Sequence, residues 1–317
     1  MGRRKKGNPV HGWVILDKPS GMTSTQAVAA VRRIFDAKKA GHAGTLDPMA
    51  TGILAIALGE ATKTVPYAMD ADKIYRFTAR WGESRDSDDA EGKLTGTSDM
   101  RPTADKIEAL LPRFTGILNQ VPPAYSAIKV NGERAYDLAR DGEEVVLEPR
   151  PVEVFQARLV ACENDQAEFE IRCGKGTYVR SWVRDIALAL GTLGHVSALR
   201  RTRLGGFGEK DAVALESLTP FMHSPAAFGY LRPLSTALDG IPALAVSGLD
   251  TVRIRSGNPI LIRANIFAKL KDGFSEDGEL SGQTVFLKEE DGSPVALAEI
   301  AEGELRPFRV FNFSTNG

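Results

Sequence analysis

The sequence predicts an α+β fold in two unequal parts, on three observations. Short apolar runs bounded by Gly and Pro are interspersed with amphipathic stretches of helical period, without the strict strand–helix–strand rhythm of a parallel α/β sheet. Near Leu238 the texture changes: residues 239–313 carry short strand-like runs separated by Gly248, Gly257, Gly273, Gly278, Gly282, Gly292 and Gly303. The length, 317 residues, suits one large domain or two. A main α+β domain is therefore expected over residues 1–238, followed by a small β-barrel-like domain over residues 239–317.

The elements follow in order. Residues 2–8 are basic and read as a frayed arm. GWVIL (12–16) is a short buried strand, and DKPSG (17–21) is a turn by its Pro and Gly. Thr23 or Ser24 caps a helix running to about Phe35, with Val28, Val31, Ile34 and Phe35 on one face. Residues 41–52 are a loop rich in Gly, Thr and Pro. ILAIAL (53–58), closed by Gly52 and Gly59, reads as a strand buried on both faces. Residues 73–81 alternate Tyr75, Phe77 and Ala79 against Arg76, Thr78 and Arg80, the period of a half-buried strand. A helix is expected over 103–111. Residues 121–150 are polar and turn-rich, with a short helix near 135–140. Two strands in a hairpin follow over 151–173, then a helix over 178–190 opened by a turn at 174–177. There is no tandem repeat.

Composition excludes several classes. The hydrophobic fraction is 43% and the charged fraction 26%, ordinary for a globular chain. Cys162 and Cys173, the only cysteines, have no CxxC spacing and read as small buried residues. His11, His42, His195 and His223 are scattered, so no zinc site is expected. No run of 18 apolar residues exists, and the basic N-terminus leads into no apolar signal core. A cytoplasmic protein is expected, with no membrane contact. The net charge of −1 is uninformative, but its distribution is not. Between residues 172 and 203 stand Arg172, Lys175, Arg180, Arg184, Arg200, Arg201 and Arg203, opposed only by Asp185. Acidic residues gather at 86–91, 272–279 and 289–291. Such a run fits a phosphate-attracting face or, equally, a solvated helix face.

The segment GHAGTLDPMATG (41–52) is a loop ahead of a buried strand, a common place for a site. It holds one carboxylate, Asp47, whose backbone is biased away from helical angles by Pro48. The residues alone also fit a plain Asp-Pro turn.

Four stretches, in order, resemble the TruB family of tRNA pseudouridine synthases. They are LDKPSGMTS (16–24), GHAGTLDPMATGILAIALGEATK (41–63), VPPAYSAIKVNGERAYDLAR (121–140) and CGKGTYVRSWVRDIALALGTLGHVSALRR (173–201). More loosely, residues 281–311 resemble a PUA domain, an RNA-binding β module. The resemblance covers nearly the whole chain. It implies a pseudouridine synthase catalytic domain with a thumb-like insertion at about 121–150, followed by a PUA-like domain. It also implies isomerisation of a uridine in the T loop of tRNA, at position 55.

By the same resemblance Asp47 is the catalytic nucleophile, and Arg180 of GTYVR is the arginine that pairs with it. A cation at that place keeps a carboxylate ionised where water is excluded. Tyr75, in DKIYRF, matches the aromatic that stacks on the flipped uracil and offers a phenol near C5. His42 matches a histidine that contacts the RNA. Lys18 and Lys63 are candidates for phosphate contacts, and Tyr178 and Leu199 for lining the uracil pocket. Position 43 is Ala where the family usually has Thr, and the family's acidic region at 85–92 carries Arg85 and Ser87 as substitutions. That region reads as a turn. The chemistry is redox-neutral, so no cofactor and no metal are expected. The tRNA T arm is the expected partner of a monomer that needs no protein partner. Two alternatives stay open: a related isomerase working inside a guide-RNA particle, and a tRNA-binding or folding factor without catalysis. A two-carboxylate glycoside hydrolase fails for want of a partner to Asp47.

Overall fold

The computed structural model describes residues 7–126, 128–130, 132–140, 145–273 and 280–313. The arm at 2–6 and the acidic stretch at 274–279 lie outside the described residues.

One large mixed sheet organises the chain up to residue 214. Its spatial order is Val213–Ala214, Gly12–Lys18, Thr51–Leu58, Gly194–Leu204, Lys73–Trp81, Gln166–Cys173, Arg150–Cys162 and Gly116–Gln120. Most neighbours are antiparallel; Thr51–Leu58 and Gly194–Leu204 run parallel, as do Gly12–Lys18 and Val213–Ala214. The short Ala40–Ala43 strand pairs with the far end of Thr51–Leu58, so only 44–50 of the expected loop is irregular. Alternation sets Lys73–Trp81 as expected: Tyr75, Phe77, Ala79 and Trp81 are buried while Arg76 and Arg80 face solvent.

The first helix, Ser24–Ile34, starts where the capping residues put it. Thr23 Oγ1 accepts from the Gln26 amide, and the Gln26 side chain accepts from the Thr23 amide in return. The Val179–Ala189 helix packs Trp182, Val183 and Ile186 under the sheet, with Trp182 edge-on to Phe77, Phe114 and Phe169. Between them Lys129–Val130 and Glu133–Arg134 pair as a small hairpin leading into the Ala135–Arg140 helix.

Besides the short pieces Ala40–Ala43, Phe207–Gly208 and Val213–Ala214, two longer strands of the main sheet differ from expectation. Gly194–Leu204 sits at the centre, between Thr51–Leu58 and Lys73–Trp81, yet two register shifts near Ser197 and Thr202 break its period-two pattern. Gly116–Gln120 is an exposed edge strand, with Ile117 79% exposed, and shows no alternation at all.

The C-terminal part is a curled five-stranded sheet ordered Ala243–Ala245, Thr284–Lys288, Pro294–Ala301, Glu304–Val310, Ile260–Leu261. It also holds two helices, Gly248–Arg255 and Ala264–Gly273, where the sequence suggested strands alone. Gly257 and Gly273 lie at the ends of those helices rather than between strands. This sheet docks on the large one. Phe286, Leu297 and Phe311 share a buried cluster with Trp13, Ile15, Ile53, Leu204 and Phe207.

Candidate active site

The loop 44–50 is held almost entirely by the segment that follows the first strand. Lys18 is completely buried, and its ammonium donates to the carbonyls of Pro19 (2.8 Å), Met22 (2.7 Å) and Pro48 (3.1 Å). Gly21 N–H donates to the same Pro48 carbonyl at 2.8 Å, and Ser20 Oγ donates to Met49 O at 3.1 Å. Ser24 Oγ, in the first turn of the first helix, donates to Leu46 O (3.0 Å) and accepts from Leu46 N (2.9 Å). These contacts explain why LDKPSGMTS and GTLDPMATG both exist: one is the clamp and the other the clamped loop. They also correct the expectation for Lys18. Three carbonyls take its three donors, so it braces the loop rather than presenting a charge to RNA. Burial pushes its pKa down to about 8, with the Asp47 charge opposing that shift.

Asp47 emerges from this clamp about a third exposed, its side chain at 30%. Arg180, in the first turn of the Val179–Ala189 helix and 4% exposed, meets it with two nitrogens. Nη2 donates to Oδ1 at 3.0 Å, and Nε lies 2.9 Å from Oδ2 as a charge contact without good hydrogen-bond alignment. The guanidinium is fixed on its other sides too. Nη1 donates to Ser87 O at 3.0 Å and Nη2 to Tyr125 O at 3.0 Å. Asp89 Oδ2 stands 3.6 Å from Nη1.

Asp89 and Ser87 belong to the acidic turn, and both are buried. Asp89 Oδ1 accepts from Ser87 Oγ at 2.6 Å and from Glu91 N at 3.1 Å. The turn thus acts as a second carboxylate support behind Arg180, which the sequence did not reveal. Its neighbour Asp88 pairs with Arg184 at 2.8 Å, yet burial pushes its carboxyl up to about 6 against the pull of that arginine.

Tyr75 is 9% exposed on the Lys73–Trp81 strand, and Leu199, 7% exposed, is on the adjacent Gly194–Leu204 strand; both belong to the main core cluster. Burial raises the Tyr75 phenol, with the Arg201 cation pulling the other way. Tyr178, half-buried at the N-cap of the helix that carries Arg180, is locked to Gln120: its N–H donates to Oε1 (2.8 Å) and its carbonyl accepts from Nε2 (3.0 Å). Burial raises its phenol as well. His42, half-buried on the Ala40–Ala43 strand, has its pKa lowered by burial and then by Arg201. Its Nδ1 is buried with no hydrogen-bond partner among the described residues.

Lys63 is the outlier. It pairs with Glu60 at 2.6 Å and donates to Val310 O at 2.7 Å, so it fastens the C-terminal sheet to the main one instead of reaching towards a phosphate. Glu60 completes that seam by accepting from Asn312 N at 2.7 Å. The basic run between 172 and 203 is likewise not one open face. Arg180 and Arg201 are buried, Arg184 pairs with Asp88 and Asp185, and Arg200 with Asp17 and Glu209. No three His, Cys, Asp or Glu side chains gather as a metal site among the described residues, and no helix there is long and apolar enough to cross a membrane.

The arrangement is one carboxylate, paired with a buried arginine, beside an aromatic side chain and an unpaired imidazole nitrogen. Comparison with known proteins identifies the chain's relatives. Residues 32–179 match the model of the TruB family pseudouridylate synthase N-terminal domain, and residues 180–239 that of the tRNA pseudouridylate synthase B C-terminal domain. The tRNA pseudouridine synthase B of Bradyrhizobium diazoefficiens is 54% identical over 98% of this chain and 88% of its own. That of Caulobacter vibrioides is 52% identical over 99% of this chain and all of its own. Among solved structures, a chain of the H/ACA RNP bound to a substrate RNA containing 2'-deoxyuridine superposes with a TM-score of 0.72. It covers 98% of this chain and 92% of its own at 22% identity, a likeness of fold. With half of its residues shared with such relatives along almost its entire length, the chain belongs to the TruB family of pseudouridylate synthases.

Proposed function

We propose that this protein isomerises one uridine in the T loop of tRNA to pseudouridine, with Asp47 as the nucleophile. The observation that carries the reading is the Asp47–Arg180 pair, built on a clamped loop and backed by Asp89. The family relatives, named tRNA pseudouridine synthase B, supply the substrate class.

The reaction breaks the bond from C1′ of the ribose to N1, turns the uracil, and joins C1′ to C5. One proton leaves C5 and one is gained at N1, so atoms balance and nothing is oxidised. Asp47 acts on the ribose side of this exchange as a nucleophile already paired with Arg180. The flipped base stacks on Tyr75, worth about 1–3 kcal/mol, which offsets the few kcal/mol that extruding it costs. The Tyr75 phenol takes the proton that C5 loses. Leu199 and Tyr178 border the uracil, and His42 contacts the RNA. No cofactor or metal takes part. The protein works as a monomer in the cytoplasm, needs no guide RNA or protein partner, and grips the T arm with the 121–150 insertion. Residues 1–238 are the catalytic domain and residues 239–317 the PUA-like RNA-binding domain.

The test is chemical mapping of pseudouridine in an unmodified tRNA transcript incubated with the purified protein, with an isolated T stem-loop in parallel and EDTA added to the stem-loop reaction. One modified T-loop uridine in both RNAs is expected. No product in either would end the reading, and reaction of full-length tRNA alone would refute the T arm as the sufficient substrate.

A further inference from the structure

We infer that Arg201 is a positioning residue that couples Tyr75 to the loop bearing Asp47, so that the stacking ring and the nucleophile keep one fixed spacing. This rests on the function proposed above.

Arg201 is 1% exposed, among the largest fully buried side chains in the protein. Among the described residues no carboxylate lies within ion-pair distance of it, unlike Arg180, Arg184 and Arg200 in the same run. Taking a guanidinium out of water without an anion is costly, and only well-placed hydrogen bonds offset it. Its bonds are placed on the site. Nε donates to Ile53 O at 2.7 Å, on the strand leaving the catalytic loop, and Nη2 donates to Gly44 O at 3.2 Å, on the loop itself. On the other side Arg201 is the direct cross-strand partner of Tyr75, so both side chains leave the sheet on the same face. Its positive charge opposes the rise that burial imposes on the Tyr75 phenol. One side chain thus bonds the loop and the strand after it, and stands across the strand from the aromatic ring.

Two glycines of the loop motif are explained by the same residue. Gly52, at φ +95°, lies opposite Arg201 in the parallel pair, and a Cβ there would stand 2.2 Å from Arg201 O. Gly44, at φ +76°, would carry a Cβ 3.4 Å from Arg201 Nη1. The motif therefore makes room for both the backbone and the head group of Arg201. A fork is needed here: lysine has the charge but cannot reach two carbonyls lying in different directions while facing Tyr75 across the strand.

The experiment uses full-length Arg201→Lys, Arg201→Gln, Tyr75→Phe and the double variants, with single-turnover rates and RNA affinities measured on the T stem-loop and a thermal melt of each. Arg201→Lys is expected to melt as a folded protein, to bind RNA within about threefold of wild type, and to react about 10- to 100-fold more slowly, the scale of a small misplacement of reacting groups. Because Arg201 acts through the phenol, adding Arg201→Lys to Tyr75→Phe should slow the reaction by no more than about threefold further, a non-additive pair. If the lysine variant fails to fold, Arg201→Gln, which keeps a donor for the Ile53 carbonyl, carries the same comparison. Rates within about twofold of wild type, or losses that multiply in the double variant, overturn the inference. So does loss of the fold in both single variants, which would make Arg201 a brace of the sheet and nothing more. A wild-type protein that fails to react would instead refute the proposed function itself.

Discussion

At the residue scale the site is a charge chain in which each member holds the next. Asp89 supports Arg180, Arg180 holds Asp47, and of the three only Asp47 is left substantially exposed. Removing the far carboxylate should therefore act at a distance. Asp89→Asn leaves the shape but weakens the hold on Arg180, and should slow turnover by up to about 100-fold while RNA affinity changes little. Steady-state kinetics with a binding assay check this; an unchanged kcat would show that Arg180 needs no second anion. Asp88 next door makes a pH prediction. Its carboxyl is raised from an ordinary 3.8 to about 6, burial outweighing Arg184. The folded state then holds more protons than the unfolded chain between those values, so stability falls as pH rises through that window, by about 3 kcal/mol from this group. Asp88→Asn keeps a residue type that tolerates the left-handed φ of 60° there, and should flatten the slope in denaturant melts from pH 4 to 6. Asp47 and Arg180 stood out in the sequence because their motifs are specific. Asp89 did not, because RDSDDAEG has the composition of a solvated turn, and nothing in it marks the carboxylate that backs Arg180.

At the scale of elements, catalytic geometry depends on how the first helix grips the loop. Ser24 satisfies both the N–H and the C=O of Leu46 in a buried place. Ser24→Ala strands both groups, and each buried unsatisfied group costs about 1–3 kcal/mol. A lower melting temperature is expected, together with a reduced rate because the loop loosens; an unchanged melt would mean the loop relaxes onto other partners. Helix starts and the clean alternation of Lys73–Trp81 were readable directly, since capping and period-two burial are local signals. The central Gly194–Leu204 strand was not. Two bulges shift its phase, and Arg201 stands buried where alternation would call for an apolar residue. The strand hardest to read is the one that carries Leu199 and Arg201 into the site.

At the scale of the whole molecule, the C-terminal sheet is bound to the main one by a shared core and by the seam of Glu60, Lys63, Val310 and Asn312. Truncation near Leu238 would strip Phe286, Leu297 and Phe311 from that core, so any loss of tRNA binding would be mixed with loss of stability. A single charge separates the two. Arg253 makes no ion pair among the described residues and donates only to Pro259 O. If it meets the acceptor stem, Arg253→Ala should leave the melt unchanged, weaken full-length tRNA binding, and lower the slope of log affinity against log salt by up to about 0.9. An unchanged slope would remove that side chain from the RNA interface. The Gly-rich punctuation marks the stretch that holds the second sheet, but the two helices there were hidden, because glycines at helix ends look like turns between strands.

In the proposed reaction one carboxylate, Asp47, does the chemistry while the rest of the site holds it in place. Asp47→Asn changes one atom, keeps the loop clamp, and removes the charge that faces Arg180. Pseudouridine formed in a T stem-loop under single-turnover conditions, beside the affinity of the same variant for the same RNA, tests it most directly. Loss of product by at least about a thousandfold, with affinity within about threefold of wild type, is the expected result, since a group acting at the reacting centre contributes to rate and not to binding. Turnover near that of wild type would contradict it.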